Sequence, residues 1–540
     1  MHWIDGTWIY DRESLADWRR VLDQLTTLGG SIMLQFGSAF HDCDENKLRG
    51  KCNRPGLPAG FLPVNGTLAG YRVVHQGFWE GEDLFDGPLP NAHPLSGIVT
   101  ISPANGEPQQ CWRLVADHAS GGIDVVYGFG RRSLQQRRLD WLLEAAAERG
   151  IGVLLGMPML PGEPEPGGPQ IHNGLLPIWG LVTQWWLSNV RNRFSNHPVI
   201  VGFYQSFETD LRPGYPAWDA YRQVRDLMDT VYHPSARLAI SPYVDCVQRH
   251  NVERLTAEII AEAVEQCARS GVDILIPQDG RGSGLNALFW DYERGSRVVD
   301  HDPALGNYVT IQPHDTNGTR FSLSTGEMYE AVRRAVDRAN ANGVKMALWA
   351  NVEAFEMDSG DPGFDEDRSR MPWARNMRAT TRERLDRAAM FAAGHCSRMI
   401  SFMWDPYFTT PRGAQGSNIL SMFDSITADP DRPLISEAHF FDTSGTQGII
   451  TRGYNLVQPG VRIGLTWYEN SIGMQSRTHT VGTTGWVDPS FGRRDARRPA
   501  RLQEIFIPFD RTVLIPSWWI HLQASNPQTG PTPVYSMRYP

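Results

Sequence analysis

Acidic side chains recur just past apolar, strand-like runs of the sequence. The members of this group are Glu208 and Asp210, Asp279, Glu353 and Glu356, and Asp405, which follow four different runs. When two carboxyl groups share one cleft their pKa values move apart, so that one donates a proton while the other stays charged. Cleavage of a glycosidic bond needs that combination, because the leaving oxygen takes up a proton and the oxocarbenium-like centre needs a negative charge beside it. The pattern predicts a two-carboxylate site for glycoside hydrolysis, provided that the fold brings the runs together.

Aromatic residues lie among these acids. The chain has 18 tryptophans, and Trp349, Trp404 and Tyr204 stand close to acidic residues at or near the ends of the predicted strands. A flat aromatic face is a platform for the apolar face of a sugar ring, from which it excludes water. For any single tryptophan, packing in the hydrophobic core is an equally good interpretation.

The elements that must position these side chains alternate between strand and helix. The predicted strand-forming runs are Trp3–Tyr10, Ser31–Phe36, Ile151–Met157, Val199–Asp210, Ala236–Ser241, Val272–Pro277, Val344–Asn351 and Met399–Trp404. Their nearly continuous apolar character is typical of parallel strands buried on both faces. Right-handed crossovers would curl eight such units into a closed barrel with its chemistry at the C-terminal ends of the strands. An open doubly wound sheet is the alternative, but it needs a glycine-rich phosphate loop after its first strand, where this chain has DGTWIYDR.

The predicted fold class is therefore α/β, a (β/α)8 TIM barrel over residues 1–432. Two regions interrupt or follow its repeat. Residues from about 38 to 130 carry short strand-like pieces between glycine, proline and asparagine, and we interpret them as a β-rich insertion after the second strand. Residues 433–540 lose the helical period and predict a C-terminal all-β, sandwich-like domain. This domain either binds sugar or braces the barrel.

Composition excludes several classes of function. The net charge of −9 argues against a nucleic-acid-binding protein, and the longest apolar runs are too short to span a membrane. The sequence has no H-E-x-x-H, G-x-S-x-G, Walker or C-x-x-C pattern, so neither a metal nor a cofactor is predicted. The acidic loop 358–367 lacks calcium-binding spacing and reads as a solvated lid. Cys43 and Cys52 form either a disulfide, which would favour export, or two thiols.

Three short motifs, which follow one another on strands 1, 4 and 7, resemble motifs of known families. Gly6–Ile9 reads G-T-W-I on strand 1, Tyr204 precedes Glu208 by four residues on strand 4, and Trp349 precedes Glu353 by four residues on strand 7. Over about Trp3–Ile426, outside the insertion, the chain resembles the clan of retaining glycoside hydrolases built on (β/α)8 barrels, and it also looks like a bacterial barrel family of unassigned function. The resemblance implies that Glu208 is the general acid/base and Glu353 the nucleophile.

One departure from that clan concerns the residue before the strand-4 glutamate. The clan usually has asparagine there to hold the sugar 2-hydroxyl, whereas this chain has Phe207, so we expect Gln205 or Asn351 to make that contact. The full set of predicted substrate-binding residues is Asp279, Trp349, Trp404, Asp405, Tyr204, Asn351, Gln205 and Glu356. Asp279 is also a rival second carboxylate, which would give an inverting enzyme if a water fits between it and Glu208.

Two other functions stay open from the sequence. One is a non-catalytic carbohydrate-binding barrel, in which the same aromatic residues hold a glycan without cleaving it. The other is a polysaccharide lyase that uses His314 as base and Arg320 for a uronate carboxylate. The expected partner is a carbohydrate substrate. The expected location is secreted or periplasmic, with a cytoplasmic location as the alternative, and the sequence does not predict the sugar, the linkage or the oligomeric state.

Overall fold

The computed structural model describes most of the barrel, parts of the insertion and most of the C-terminal region. The described residues are 2–37, 40–42, 67–68, 71–80, 89–90, 93–101, 109–118, 121–131, 138–159, 162–165, 168–171, 176–250, 252–308, 311–357, 377–411, 420–443, 445–469, 472–481 and 497–540. Cys43, Cys52 and the acidic loop 358–367 lie outside the described residues, so the predictions made for them stay predictions.

Eight parallel strands form a closed ring. They are β1 (Gly6–Ile9), β2 (Ile32–Gln35), β3 (Gly152–Met157), β4 (Ile200–Gln205), β5 (Leu238–Ile240), β6 (Ile274–Leu275), β7 (Ala347–Leu348 and Ala350–Glu353) and β8 (Met399–Phe402). Each strand pairs with the next in sequence, and β8 pairs with β1. The ring closes through β7, because its first piece pairs with β6 and its second piece, after Trp349, pairs with β8. The predicted α/β barrel is confirmed by this strand order.

One helix follows each barrel strand. These helices are α1 (Leu15–Thr27), α2 (Arg138–Arg149), α3 (Leu176–Phe194), α4 (Ala217–Leu227), α5 (Ala257–Arg269), α6 (Thr325–Ala341), α7 (Arg382–Ala393) and α8 (Met422–Ala428). Several begin where a serine or threonine side chain accepts a backbone N–H of the first turn, as Ser14, Thr256, Ser324 and Thr381 do. The shorter helical segments are Met228–Tyr232, Asp291–Glu293, Val298–His301, Leu305–Asn307, Asn317–Arg320 and Arg511–Val513.

A β-rich lobe lies between β2 and α2, as predicted. Its strands are Phe40–Asp42, Thr67–Leu68, Tyr71–Glu80, Gly97–Ile101, Gln109–Asp117 and Ile123–Arg131. The lobe packs on the barrel through Trp112, whose ring meets the edge of Trp185 of α3 at a centroid distance of 5.2 Å. Two small hairpins leave the barrel elsewhere, Gly162–Glu165 with Gly168–Ile171 after β3 and Phe355–Met357 with Met377–Ala379 after β7.

The C-terminal region consists of two antiparallel sheets. One holds Leu434–Thr443, Thr446–Tyr454 and Gln503–Pro508, and the other holds Arg462–Glu469, Gly473–Thr480, Trp519–Asn526, Gly530–Pro531 and Tyr535–Arg538. Buried side chains of both sheets, such as Ile449 and Leu522, share one hydrophobic cluster, which is the packing of a sandwich. Arg501 joins this region to the N-terminal end of the barrel by donating to the backbone oxygens of His2 and Ile4. The described helices include none that is both long and apolar enough to cross a membrane.

Candidate active site

Glu208 lies three residues beyond the C-terminal end of β4. Its Oε1 accepts a hydrogen bond from the Gln278 side-chain amide at 2.9 Å, and the same amide nitrogen donates to the backbone oxygen of Ser241 at 3.1 Å. Burial raises the pKa of Glu208 from 4.5 to about 7, and the hydrogen bond from Gln278 opposes that rise. A large fraction of this carboxyl therefore keeps its proton at neutral pH.

Glu353 is the last residue of β7 and is held by the loop that follows β6. Its Oε2 accepts the backbone N–H groups of Gly282 and Ser283, and its Oε1 accepts the Ser283 hydroxyl at 3.4 Å. Burial and the nearby charge of Asp279 raise the pKa of Glu353, whereas the charge of Arg281 and the two backbone N–H groups lower it. The residue is only 1% exposed, so the loop covers its carboxyl group in this structure.

Gly282 is required at the centre of that contact. A Cβ atom added there would lie 2.8 Å from Glu353 Oε2 and 2.6 Å from the backbone oxygen of Phe355. Both separations are too short for any side chain, so only glycine lets the loop come close enough to donate to the carboxylate.

Arginine pairing separates the predicted acidic residues into two groups. Asp279 pairs with Arg281 at 3.1 Å, and neither side chain has any exposed surface. Glu356 pairs with Arg378 at 3.1 Å. Asp405 pairs with Arg12 and also accepts the Thr409 hydroxyl.

These three pairs show what Asp279, Glu356 and Asp405 do in the fold. Each holds a loop at the rim through its arginine, and the predicted sugar contacts of Asp279 and Glu356 do not fit side chains that are buried and paired. Within the described part of the chain, the carboxyl oxygens of Glu208 and Glu353 form no ion pair with an arginine, lysine or histidine, although Arg281 donates to the backbone oxygen of Glu353. Asp210, the remaining predicted acid, pairs with Arg212 at 2.9 Å, so Glu208 and Glu353 are the two predicted carboxyls without an ion pair of their own.

The two predicted tryptophan platforms lie in the core. Trp404 has no exposed surface and stacks on Phe408 at a centroid distance of 5.3 Å. Trp349 is 3% exposed, and the Arg398 guanidinium sits over its ring at 5.5 Å. Trp349 falls at the break between the two pieces of β7, four residues before Glu353. The sequence placed both tryptophans at strand ends without showing which layer of the barrel they fill.

The predicted polar contacts to the sugar are also buried. Gln205 is 1% exposed and donates to the backbone oxygen of Pro158 at 3.4 Å. Asn351 is 1% exposed and donates to the Ser241 hydroxyl at 3.1 Å. Neither amide is open to a sugar hydroxyl, so the expected replacement for the 2-hydroxyl contact is not formed by these side chains in this structure.

The remaining predicted residues lie apart from the two carboxyls or inside the barrel. Tyr204 is 1% exposed, and its ring meets the edge of Trp8 at 5.8 Å. His314 and Arg320, the residues of the lyase alternative, lie in the long loop between β6 and α6, with His314 exposed and Arg320 partly buried.

An arc of aromatic rings connects the neighbourhoods of the two carboxyls. Tyr10 stacks on Phe36 at 4.3 Å, Phe36 meets Phe402 at 5.9 Å, Phe402 meets Phe355 at 6.0 Å, and Phe355 meets Tyr407 at 5.1 Å. Beyond the effect of burial, the charge of Glu208 raises the pKa of Tyr10, and the charge of Glu353 raises the pKa of Tyr407. One end of the arc is therefore close to each acid.

Sequence reasoning missed three members of this arc and the partner of Glu208. Tyr10, Phe36 and Phe402 each stand at or one residue beyond the end of a barrel strand, and Gln278 follows the β6 run. Their position in the chain was the available signal.

No protein-family model and no curated protein matches the chain. Among solved structures it is similar to a glycoside hydrolase family 5 protein from Bacteroides vulgatus, with a TM-score of 0.38 and 11% identity over 94% of this chain and 89% of that chain. It is also similar to the catalytic domain of the major endoglucanase from Xanthomonas campestris pv. campestris, with a TM-score of 0.31 and 12% identity over 77% and 88% of the two chains. A third similar structure is the exo-chitosanase from Amycolatopsis orientalis, with a TM-score of 0.30 and 9% identity over 99% of this chain and 48% of that chain. Similarity at this level carries no residue roles over to this chain.

Proposed function

We propose that the protein is a glycosidase that hydrolyses glycosidic bonds of an oligo- or polysaccharide, with Glu208 as general acid/base and Glu353 as nucleophile. The observation that carries the proposal is the contrast in pairing among the predicted acids. Asp279, Glu356 and Asp405 each form an ion pair with an arginine, whereas the carboxyls of Glu208 and Glu353, at the C-terminal ends of β4 and β7, form none with the described residues. A carboxyl left unpaired at the catalytic end of a barrel is a candidate for proton transfer or nucleophilic attack.

On this proposal the two carboxyls carry out a double displacement, for which Glu353 must be ionised against the rise in its pKa that burial and the charge of Asp279 cause. Protonated Glu208 gives its proton to the leaving oxygen while a carboxylate oxygen of Glu353 bonds to the anomeric carbon and the glycosidic C–O bond breaks. Ionised Glu208 then takes a proton from water, whose oxygen bonds to the anomeric carbon and releases Glu353. The N–H groups of Gly282 and Ser283 support this role because they stabilise the negative form of Glu353.

The aromatic arc supplies the sugar-facing wall in this proposal. Tyr10, Phe36 and Phe402 are each partly exposed, unlike Trp404. An aromatic face beside the acid gives a sugar ring a surface that excludes water and aligns the ring with the carboxyls.

A non-catalytic carbohydrate-binding barrel is the second candidate, and one observation favours it. Glu353 is 1% exposed under the Gly282–Ser283 loop, and a nucleophile must reach the anomeric carbon. On the glycosidase proposal this loop moves when substrate binds. On the binding proposal it stays closed, and the aromatic arc holds a glycan that is never cleaved.

The test compares Glu208→Gln, Glu353→Gln and wild-type protein on a panel of neutral and acidic polysaccharides, with release of reducing ends as the readout. We expect each variant to lose at least about three orders of magnitude in turnover, because each removes a reacting group. Glu265→Gln, on the exposed face of α5, is the matched control and should behave as wild type. Binding without release of reducing ends by the wild type, on a glycan that it retains in affinity gels, would establish the second candidate instead.

A further inference from the structure

The tips of three neighbouring strands meet in one hydrogen-bond network beside Glu208. The β6 run extends past its last ladder residue to Gln278, which bridges to Asn351 of β7 and donates its backbone N–H to Pro242 beyond β5. The Ser241 hydroxyl donates to Ile276 of the β6 run and accepts from Asn351. The backbone contacts of Gln278 alone therefore fix its position, independently of its side-chain hydrogen bonds.

From this position, the side chain of Gln278 extends from the end of β6 to Glu208, which follows β4. Its amide nitrogen has two hydrogen atoms, and it donates to two acceptors, Glu208 Oε1 at 2.9 Å and the backbone oxygen of Ser241 at 3.1 Å. Of the described residues, Gln278 is the one that makes a side-chain hydrogen bond to the Glu208 carboxyl. The direction of the bond matters, because a donor stabilises the ionised carboxylate more than the protonated acid.

We propose that Gln278 is a positioning residue that fixes the Glu208 side chain and sets the pH at which it loses its proton. The proposal rests on the proposed function in so far as Glu208 is the proton donor of the reaction. Burial without a donor would hold Glu208 protonated to a higher pH, and it would then be a poorer base in the second half of a double displacement. The amide limits that effect and keeps both protonation states accessible near neutral pH.

The experiment replaces Gln278 with methionine, which has similar length but no donor. A hydrogen bond to a charged group corresponds to about 1 to 2 pKa units of preference for the ionised form, so we expect the alkaline limb of the kcat/KM profile to move up by about one pH unit. The lost orientation lowers kcat by about ten-fold or more and changes KM little. An alkaline limb within 0.2 pH unit of wild type would overturn the proposal, even if activity fell.

Two controls separate this effect from general damage to the rim. Ser241→Ala breaks the bonds of the serine hydroxyl but leaves both acceptors of the Gln278 amide, and it should not move the pH profile. Gln266→Met removes a glutamine that accepts from Gly214 on the outer surface, and it should be neutral. An equal pH shift in Ser241→Ala would assign the effect to the network as a whole and overturn the specific role of Gln278.

A readout without substrate keeps the inference separate from the proposed function. The difference in melting temperature between wild type and Glu208→Gln rises with pH between the pKa values of Glu208 in the unfolded and folded states. Its midpoint lies halfway between these two values, so we expect it to rise by about half a pH unit when both proteins carry Gln278→Met. If no glycan is cleaved but this midpoint moves, the glycosidase proposal fails while the role of Gln278 stands. If the enzyme cleaves a glycan but the midpoint does not move, the glycosidase proposal stands and the role of Gln278 fails.

Discussion

Glu208→Gln should remove the acid and at the same time stabilise the folded protein at neutral pH. Glutamine has the same shape and keeps the oxygen that accepts from Gln278, so the rim hydrogen bond at 2.9 Å survives the change. What disappears is the cost of ionising a desolvated carboxyl. A gain in stability together with a loss of activity is expected of a residue kept for its chemistry.

The size of the effect follows from the two states of Glu208. Its pKa is about 7 in the folded protein against an ordinary value of 4.5, which corresponds to about 3 kcal/mol at 1.36 kcal/mol per pKa unit. The side chain is partly exposed, and solvent screening reduces this to about 2 to 3 kcal/mol. With about 2.1 cal/mol/K of unfolding entropy per residue over 540 residues, the expected difference in melting temperature is about 2 to 3 °C.

The sign of the pH dependence is opposite to that of an acid in a salt bridge. Below about pH 4.5 the carboxyl is protonated in both states, and the variant has no advantage. Between about pH 4.5 and 7 the unfolded chain releases the proton and the folded protein keeps it, so the free energy of unfolding of the wild type falls as pH rises. Above about pH 7 the whole difference is present.

The assay is thermal unfolding of wild type, Glu208→Gln and the exposed control Glu265→Gln at half-unit steps from pH 4.5 to 8.5. We expect the advantage of Glu208→Gln to grow from near zero to its full value across this range, while Glu265→Gln follows the wild type. A constant difference across the whole range would mean that Glu208 is solvated and ionised like a surface glutamate. The assignment of Glu208 as proton donor would then be refuted.

Three further predictions concern the loop after β6 and the aromatic arc. Gly282→Ala should lower the melting temperature and should lower kcat at least ten-fold, since its Cβ would lie 2.8 Å from Glu353 Oε2 and 2.6 Å from the backbone oxygen of Phe355, where it displaces the N–H donors of the Glu353 carboxyl. Arg281→Met should destabilise the protein by about 3 to 5 kcal/mol in urea unfolding, because it leaves the fully buried Asp279 without a cation. Adding Asp279→Leu should recover most of that loss. Tyr10→Ala should raise KM about ten-fold at nearly constant kcat, in line with about 1.4 kcal/mol of ring stacking. Wild-type kcat in Gly282→Ala, an unrecovered double variant, or an unchanged KM in Tyr10→Ala would each contradict the corresponding argument.

The barrel could be predicted from sequence because its strands are buried on both faces. Val272–Pro277 reads as a short, continuous apolar run, which is typical of a strand buried on both faces, whereas β4 continues through Gly202 and leaves Val201 37% exposed. The carboxyls Glu208 and Glu353 come out at the C-terminal ends of β4 and β7 because parallel strands share one direction. What the runs do not show is exact length, and β7 continues to Glu353 where the apolar pattern indicated an end at Asn351. Pairing with β8 carries it two residues further.

The arrangement of side chains around the carboxyls could not be predicted in the same way. Asp405 and Glu356 have the residue type and position of catalytic acids, but their arginine partners come from other loops, Arg12 from beyond β1 and Arg378 from the hairpin strand Met377–Ala379. An arginine many residues away leaves no periodic signal in the sequence. The layer filled by Trp349 was hidden for a related reason, since a strand pattern gives the face of a residue and not its depth in the barrel.

The chemistry of the rim depends on the cost of leaving two acids unpaired. A buried carboxyl without a cation lowers the stability of the folded protein. Near the candidate site, arginines neutralise Asp279, Glu356 and Asp405. Glu208 instead has one amide donor, and Glu353 has two backbone N–H groups and a hydroxyl. Such donors hold a carboxyl in place without locking it in the ionised form, as an arginine would. A proton donor requires a carboxyl that can hold its proton, as Glu208 does, whereas the nucleophile Glu353 must be ionised, a form that its two backbone N–H donors stabilise.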